Sequence, residues 1–377
     1  MSGFGEKRIL SLSATLAAYI HAVMERIKKL NLYTDLKSFN RPKDLALILH
    51  PFAKDLGVSL EAVSYDNKWD EDFHMKGKNY FNITSSLERC DYVVAPVHWH
   101  ERESNEGILQ LAQEAERMEK KMIIFFCYDS TEPLPVKNAV VFRHSLYKSQ
   151  KQQNEFAMPS FAATHTLQKE VARRGKGIKP VVGFCGYLGG STKHIKNPLE
   201  KGLKGLREKY LISNIRVNRL LQQMGITVSR NQAYILRSQA IRLLEKARSI
   251  QTNFLIRDRF CGGSREEYVK NMEDSDYILC MRGAGNFSFR FYETLALGRI
   301  PIFINTDCCL PFEEYISWKD YCVWVEEDEL DQLENKILEF HERLDERAFK
   351  EKQQACYQLW KEWLSPNGFY SNLYRYL

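Results

Sequence analysis

The chain has 377 residues, 44% hydrophobic and 27% charged, with a formal net charge of +6 at pH 7. That leaves room for two domains of ordinary size with real cores, and it excludes a disordered or fibrous chain. The positive excess is mild and diffuse: it fits an enzyme handling anionic ligands and is too thin to indicate a nucleic-acid binder.

Taken from the N-terminus, Lys7-Arg8 precede an apolar run from Ile9 to Val23 that is interrupted by Ser11, Ser13, Thr15, Tyr19 and His21. A bilayer span needs about 20 apolar residues, so the expectation is an amphipathic helix over a domain face. Arg41-Pro42 breaks the chain before Leu45–His50, read as a first strand, and Tyr92–Trp99 is read as another. Gly107–Lys121 has helical character, and Met122–Tyr128 (MIIFFCY) is a continuous apolar run of the kind a parallel strand buried on both faces requires. Asn138–Phe142 is a further strand. Strands alternating with helices predict a doubly wound α/β fold.

At Arg173–Pro180 the composition changes to basic residues, two glycines and a proline, predicting a solvated interdomain linker. Val181–Tyr187 (VVGFCGY) opens a second sheet, and its Gly186 and the Gly189-Gly190 pair beyond it allow close approach of a ligand to the backbone. Pro198–Gly225 is expected to be helical, Asn253–Arg257 a strand and Ser264–Glu273 a helix. The most informative stretch is Asp276–Asn305, which reads as strand, glycine loop (Arg282-Gly283-Ala284-Gly285-Asn286), helix (Phe287–Leu297, with apolar rows through Phe291, Leu295 and Phe289, Tyr292, Ala296) and strand, with Gly298 as the helix stop. A glycine loop feeding a helix N-terminus is an anion site. Asn286, Arg290 and Glu293 share one helical face in this reading; Arg282 and Ser288 flank it. Two guanidinium groups, loop amides and a carboxylate suit a nucleotide diphosphate and its ribose hydroxyls. The plainer alternatives are a surface pair for Arg290 and Glu293 and an N-cap for Asn286 or Ser288. Tyr321–Val325 is a last strand, and Asp328–Trp363 is mostly helix.

The motif Arg282–Glu293 followed by Ala296-Leu297-Gly298-Arg299-Ile300-Pro301, with Thr306-Asp307, Leu310-Pro311-Phe312 and Trp318 downstream, resembles the signature of exostosin-type glycosyltransferases (glycosyltransferase family 47). The resemblance runs from about Lys179 to Val325. It implies the GT-B arrangement of two facing Rossmann-like domains: residues 1–178 on the acceptor side, 179–355 binding the nucleotide sugar, and a helix over 356–377 crossing back to the first domain. It implies a uridine nucleotide donor and a cell-surface polysaccharide or glycolipid acceptor. The donor site then comprises Gly186, Arg282, Gly285, Asn286, Ser288, Arg290 and Glu293.

The implied chemistry is a single displacement with inversion, in which a first-domain base removes the acceptor proton; such a base is typically worth ~10²–10⁴ in rate. Ligands of open α/β sheets lie beyond the carboxyl ends of strands, so Glu101 and His100, in the loop after Tyr92–Trp99, are the candidate bases. No metal or other cofactor is expected: Asp70-Glu71-Asp72 and Asp274-Ser275-Asp276 are placed as turn or cap residues, and His98-Trp99-His100 has no third ligand in sequence. Nine cysteines without a CxxC pair read as reduced core thiols. Of the sequons Asn82-Ile83-Thr84 and Asn286-Phe287-Ser288, the second lies inside the site. With the absence of a legible anchor, these point to a soluble, cytoplasmic form, bacterial or otherwise, with at most peripheral contact at the inner face of the plasma membrane and no nucleic-acid partner. A nucleotide-sugar epimerase on the same scaffold and a non-catalytic nucleotide-sugar or glycan-binding protein are the competing readings.

Overall fold

The structure is a computed structural model, and it describes residues 29–36, 45–59, 68–161, 172–188, 231–257 and 264–377. The expected N-terminal helix, Pro198–Gly225 and the Gly189-Gly190 pair lie outside these residues.

The chain forms two all-parallel α/β sheets, as the alternation of strands and helices predicts. The first is built from β1 (Leu30–Tyr33), β2 (Phe81–Ile83), β3 (Tyr92–Val94), β4 (Met122–Phe126), β5 (Ala139–Arg143) and β6 (Glu155–Ala157), in the order β2-β1-β3-β4-β5-β6. Helices α1 (Lys68–Lys76) and α2 (Glu106–Arg117) belong to this half. The second sheet contains β7 (Val181–Tyr187), β8 (Gln251–Arg257), β9 (Tyr277–Cys280), β10 (Ile300–Asn305) and β11 (Val323–Glu326), in the order β11-β10-β9-β7-β8. Its helices are α3 (Asn231–Lys246), α4 (Ser264–Glu273), α5 (Phe289–Ala296), α6 (Leu333–Glu342) and α7 (Glu346–Leu359). Strands β4, β9 and β10 are buried at every position, which is why their sequences are continuously apolar. In the second sheet the strand order reverses between β7 and β9, and the crevice at such a switch point is where α/β sheets take their ligands.

Three readings of the first half are corrected. Leu45–His50 is not a strand: Leu47–Phe52 is a 3₁₀ segment with Pro51 inside it, and a short apolar run carries no period that separates the two states. The strand from Tyr92 ends at Val94: Ala95 N still donates to Ile123 O at 2.9 Å, but Pro96 has no N–H with which to continue the ladder. The first strand is instead Leu30–Tyr33.

The linker is not simply solvated. Arg174 donates through Nε to Asp276 Oδ1 at 2.7 Å, Lys176 N donates to Glu346 Oε2 at 2.8 Å, and His341 Nε2 lies 2.9 Å from Gly177 O. Asp276 is almost fully buried and also accepts from Val181 N at 2.9 Å. Asp276 therefore clamps the linker to the start of β7, whereas Asp274 pairs with Lys270 and Ser275 Oγ donates to Asn271 O; Asp70 and Glu71 sit in the first turn of α1.

Past α7 the chain runs through Trp360–Leu364 into α8 (Pro366–Ser371), which Ser365 caps by accepting from Gly368 N at 3.0 Å with Pro366 at the first position. This tail packs on the first sheet. Tyr370 meets Phe73 at 4.5 Å, Phe369 meets Phe142 at 5.6 Å, and Tyr376 meets Phe156 at 4.5 Å. Phe369, Tyr370 and Leu373 are fully buried, each contributing about 1.5–3 kcal/mol of burial. The tail thus fastens the two halves together.

Helix α5 ends in a Schellman turn: Gly298 N donates to Leu295 O at 2.9 Å, Arg299 N to Thr294 O at 2.9 Å, and Gly298 has φ +61°. A Cβ there would stand 3.1 Å from Gln353 O and 2.4 Å from Arg173 Nη1. Gly298→Ala is expected to cost at least about 1–2 kcal/mol, read as a lowered midpoint in thermal unfolding; an unchanged midpoint removes the turn from the account.

Candidate anion-binding site between the sheets

Strand β9 delivers the chain to Arg282, at the carboxyl edge of the second sheet beside the end of β7. The loop from Gly283 to Ser288 then turns into α5, with Gly283 N donating to Phe287 O at 3.1 Å. Ser288 is the N-cap residue, with extended backbone and no side-chain bond to the helix amides. The positive end of α5 is therefore without a side-chain cap, an arrangement that favours an anion.

Arginines surround this edge. Arg282 donates through Nη1 to Tyr147 Oη at 2.5 Å and through Nη2 to Ala284 O at 3.1 Å, and lies 5.4 Å from the Tyr147 ring. Arg290 donates through Nη2 to Cys185 O at 2.6 Å and stacks 4.4 Å from Phe184. A Cβ on Gly186 would stand 3.0 Å from Arg290 Nη2, so Gly186 makes room for Arg290 rather than directly for a ligand.

Arg237, on α3, joins them: it donates through Nη1 to Tyr187 O at 2.6 Å and through Nη2 to Arg282 O at 3.2 Å. The Nε of all three has no hydrogen-bond partner. Burial, and then the like charge of Arg290, pull Arg237 down to about 10, which leaves it cationic at neutral pH but under electrostatic stress. No carboxylate pairs with Arg237 among the described residues. Arg299 shares the unpartnered Nε and is likewise pulled to about 10 by burial and then by Arg174, but both its terminal nitrogens are taken up by Glu273 O, Ala172 O and other protein acceptors away from the loop, so its role is structural.

Two residues stand differently from the sequence reading. Asn286 lies three residues ahead of the helix, not on its face, and is fully buried. Its Oδ1 accepts from Thr306 Oγ1 at 2.6 Å, and its Nδ2 donates to Thr306 O at 3.1 Å and Leu146 O at 3.4 Å. Those bonds commit the carboxamide to pinning the loop, so Asn286 is withdrawn from the ligand set. Phe289, placed in an apolar row, is 48% exposed. Glu293 is 4% exposed and accepts from Arg265 Nη2 at 2.8 Å and Tyr268 Oη at 2.5 Å. Of these two partners only Arg265 is substantially exposed, with 43% of its side chain accessible.

The first sheet presents the ends of β4 and β5 to the same loop. Asp129 Oδ1 accepts from Gly285 N at 3.0 Å, and Ser145 Oγ accepts from Asn286 N at 2.9 Å. His144 packs against Phe287 at 5.3 Å and Phe289 at 6.2 Å; burial, then His98, push it down to about 3, so it is a neutral imidazole. Beyond the loop, Lys148 N donates to Asp307 O at 2.9 Å and Cys309 N to Leu146 O at 3.1 Å. The loop thus lies at the junction of the two sheets.

Glu101 and His100 do not reach this loop. Glu101 Oε1 accepts from Ser130 N at 2.6 Å, and His100 Nδ1 accepts from the amides of Arg102 and Glu103 at 3.1 and 3.0 Å. Neither makes a hydrogen bond or ring contact with the second sheet's half among the described residues. His98 Nδ1 lies 2.9 Å from Cys127 Sγ, so His98 and His100 are not aimed at a common point. No group of three or more His, Cys, Asp and Glu among the described residues is arranged to hold a metal. The eight described cysteines are unpaired. Sequence reasoning missed Arg237, Asp129, His144 and Tyr147; the last three were within reach had the strand-end rule been applied after β4 and β5 as well as after β3.

Residues 205–339 match the Exostosin GT47 domain, which covers the loop, α5 and the strands on either side. The chain is 34% identical over 91 residues to Exostosin-1 of Drosophila melanogaster, covering 24% of this chain and 12% of that protein. It is 35% identical over 69 residues to the probable glucuronosyltransferase GUT1 of Oryza sativa subsp. japonica, covering 18% and 16%. The matched stretches are thus a small part of either relative. Among solved structures, an alpha-glucosyltransferase in complex with UDP-glucose and DNA aligns over 92% of this chain and 89% of its own at 13% identity and a TM-score of 0.32, a likeness that adds nothing to the topology described above.

Proposed function

We propose that this exostosin-like chain is an inverting glycosyltransferase, moving a sugar from a nucleotide-sugar donor, UDP-linked by preference, to a hydroxyl of a glycan or glycolipid acceptor in cell-surface polysaccharide synthesis. The observation that carries the reading is the gathering of Arg237, Arg282 and Arg290 at the carboxyl edge of β7 and β9, beside an α5 N-terminus with no side-chain cap. Like charges brought together in a part-buried crevice are unfavourable until an anion joins them, and a diphosphate with its charge spread over several oxygens is suited to planar guanidinium groups.

In this mechanism the diphosphate rests on the arginines and the α5 amides. The acceptor hydroxyl enters from the first sheet and attacks the anomeric carbon from the face opposite the leaving group. Its proton passes to a first-domain base. The C–O bond to phosphate breaks with its electron pair going to the diphosphate, whose growing charge the guanidinium groups stabilise. The proposal needs no divalent ion for that neutralisation. It places the work in the cytoplasm; no described helix is long and apolar enough to cross a membrane.

Glu293 is assigned to the ribose. Of its two partners, the exposed Arg265 is the one a sugar hydroxyl can displace, while Tyr268 keeps the carboxylate oriented. Glu293→Gln is expected to weaken UDP affinity on the order of tenfold, the worth of one hydrogen bond to a charged group. Calorimetry giving the wild-type constant removes the ribose role. The proposal as a whole is tested by incubating the chain with a panel of UDP-sugars and glycan acceptors and analysing the products for a new glycosidic bond. An epimerised donor with no acceptor product rules out transfer.

A further inference from the structure

The amide of Gly285, at the centre of the glycine loop, does not point into an empty crevice. It donates to Asp129 Oδ1 at 3.0 Å, from the opposite sheet, and the next amide, Asn286 N, donates to Ser145 Oγ at 2.9 Å. Both amides of the loop are thus taken up by side chains that follow β4 and β5. At Gly285 that side chain is a carboxylate. The approach is close: a Cβ on Gly285 would stand 2.7 Å from Asp129 Oδ1. The backbone turn that presents Asp129 is anchored, because the adjoining Ser130 N donates to Glu101 Oε1 at 2.6 Å. Asp129 is itself exposed, so it can swing away at little cost.

We propose that Asp129 is an internal competitor at the donor site: it occupies the Gly285 amide as an internal anion and yields it to a donor phosphate. The proposal rests on the donor-site reading above. An intramolecular carboxylate acts at high effective concentration. Weak anions such as inorganic phosphate do not displace it. A nucleoside diphosphate does, because it also engages Arg282, Arg290 and the ribose contact. The residue thereby sets a threshold that a ligand with several anchoring contacts clears, and its release accompanies loss of a contact between the two sheets. This gives Glu101 a role as well, in positioning Asp129 through Ser130.

The experiment is calorimetry of UDP and of inorganic pyrophosphate against the wild-type chain, Asp129→Ala, Asp129→Asn and Glu132→Ala. Removing the internal anion is expected to tighten both ligands, UDP on the order of tenfold, the worth of a charged hydrogen bond. Asp129→Asn, which keeps an acceptor oxygen without the charge, tightens UDP less. Glu132→Ala removes a nearby exposed acid that does not touch Gly285 and leaves both affinities at wild-type values; tightening equal to that of Asp129→Ala overturns the inference in favour of general charge removal. Wild-type binding of UDP together with equal or weaker binding by Asp129→Ala overturns this inference alone. A wild-type chain that binds no UDP overturns the donor reading and the inference with it.

Discussion

Arg290→Ala is expected to lower turnover by about 10²–10³-fold, the usual loss when one preorganised donor to a developing negative charge is removed. The guanidinium is positioned from three sides. Phe184 supports its face at 4.4 Å, Cys185 O fixes Nη2 at 2.6 Å, and Gly186 leaves the space a side chain would fill. Burial acts against its charge, but Tyr268, Cys280 and Glu293 outweigh that and hold it in the protonated form. Alanine also strands the Cys185 carbonyl, at a cost of about 1–3 kcal/mol in stability, so thermal unfolding is measured alongside kinetics. Arg290→Lys separates the effects: it keeps the charge and loses the planar fork, and an intermediate rate is expected. Full activity in the alanine variant removes Arg290 from the chemistry.

Arg237→Ala is expected to weaken nucleotide affinity by about 10–100-fold, since a hydrogen bond to a charged partner is worth roughly 1.5–3 kcal/mol. Its two bonds, to Tyr187 O and Arg282 O, tie the ends of β7 and β9 together, so alanine also removes a structural tie. Arg237→Gln resolves this, because the amide can still donate to a carbonyl while the charge is gone. The account expects the glutamine variant to bind UDP nearly as poorly as the alanine variant, with a shallower dependence on salt than wild type. Wild-type affinity in Arg237→Gln shows the residue to be a strand tie only.

How much of this was legible in the sequence depends on the range of the signal. MIIFFCY and IPIFIN announce buried parallel strands because burial on both faces removes the polar alternation, and both fold that way. The strand–loop–helix unit with its Gly298 stop is local, and its boundaries fall within about two residues of the reading. Leu45–His50 failed because five apolar residues in a row have no period to distinguish strand from 3₁₀ turn, and Leu30–Tyr33 was missed because a strand of four residues carries almost none. Asn286 was misplaced because the helix begins after Ser288, so a helical spacing was extended into a loop. Arg237 stands on a helix 45 residues before Arg282; no spacing rule joins them, and only the pairing of β7 with β9 does. Asp129 and Ser145 likewise acquire meaning only when the second domain is laid against the first.

The most direct test is a crystal structure with UDP bound. Phosphate oxygens are expected within hydrogen-bonding distance of the Arg282, Arg290 and Arg237 guanidinium groups, with the ribose beside Glu293 and Asp129 withdrawn from the Gly285 amide. A nucleotide seated elsewhere, or one bound with those arginines still engaged by protein acceptors alone, contradicts this reading.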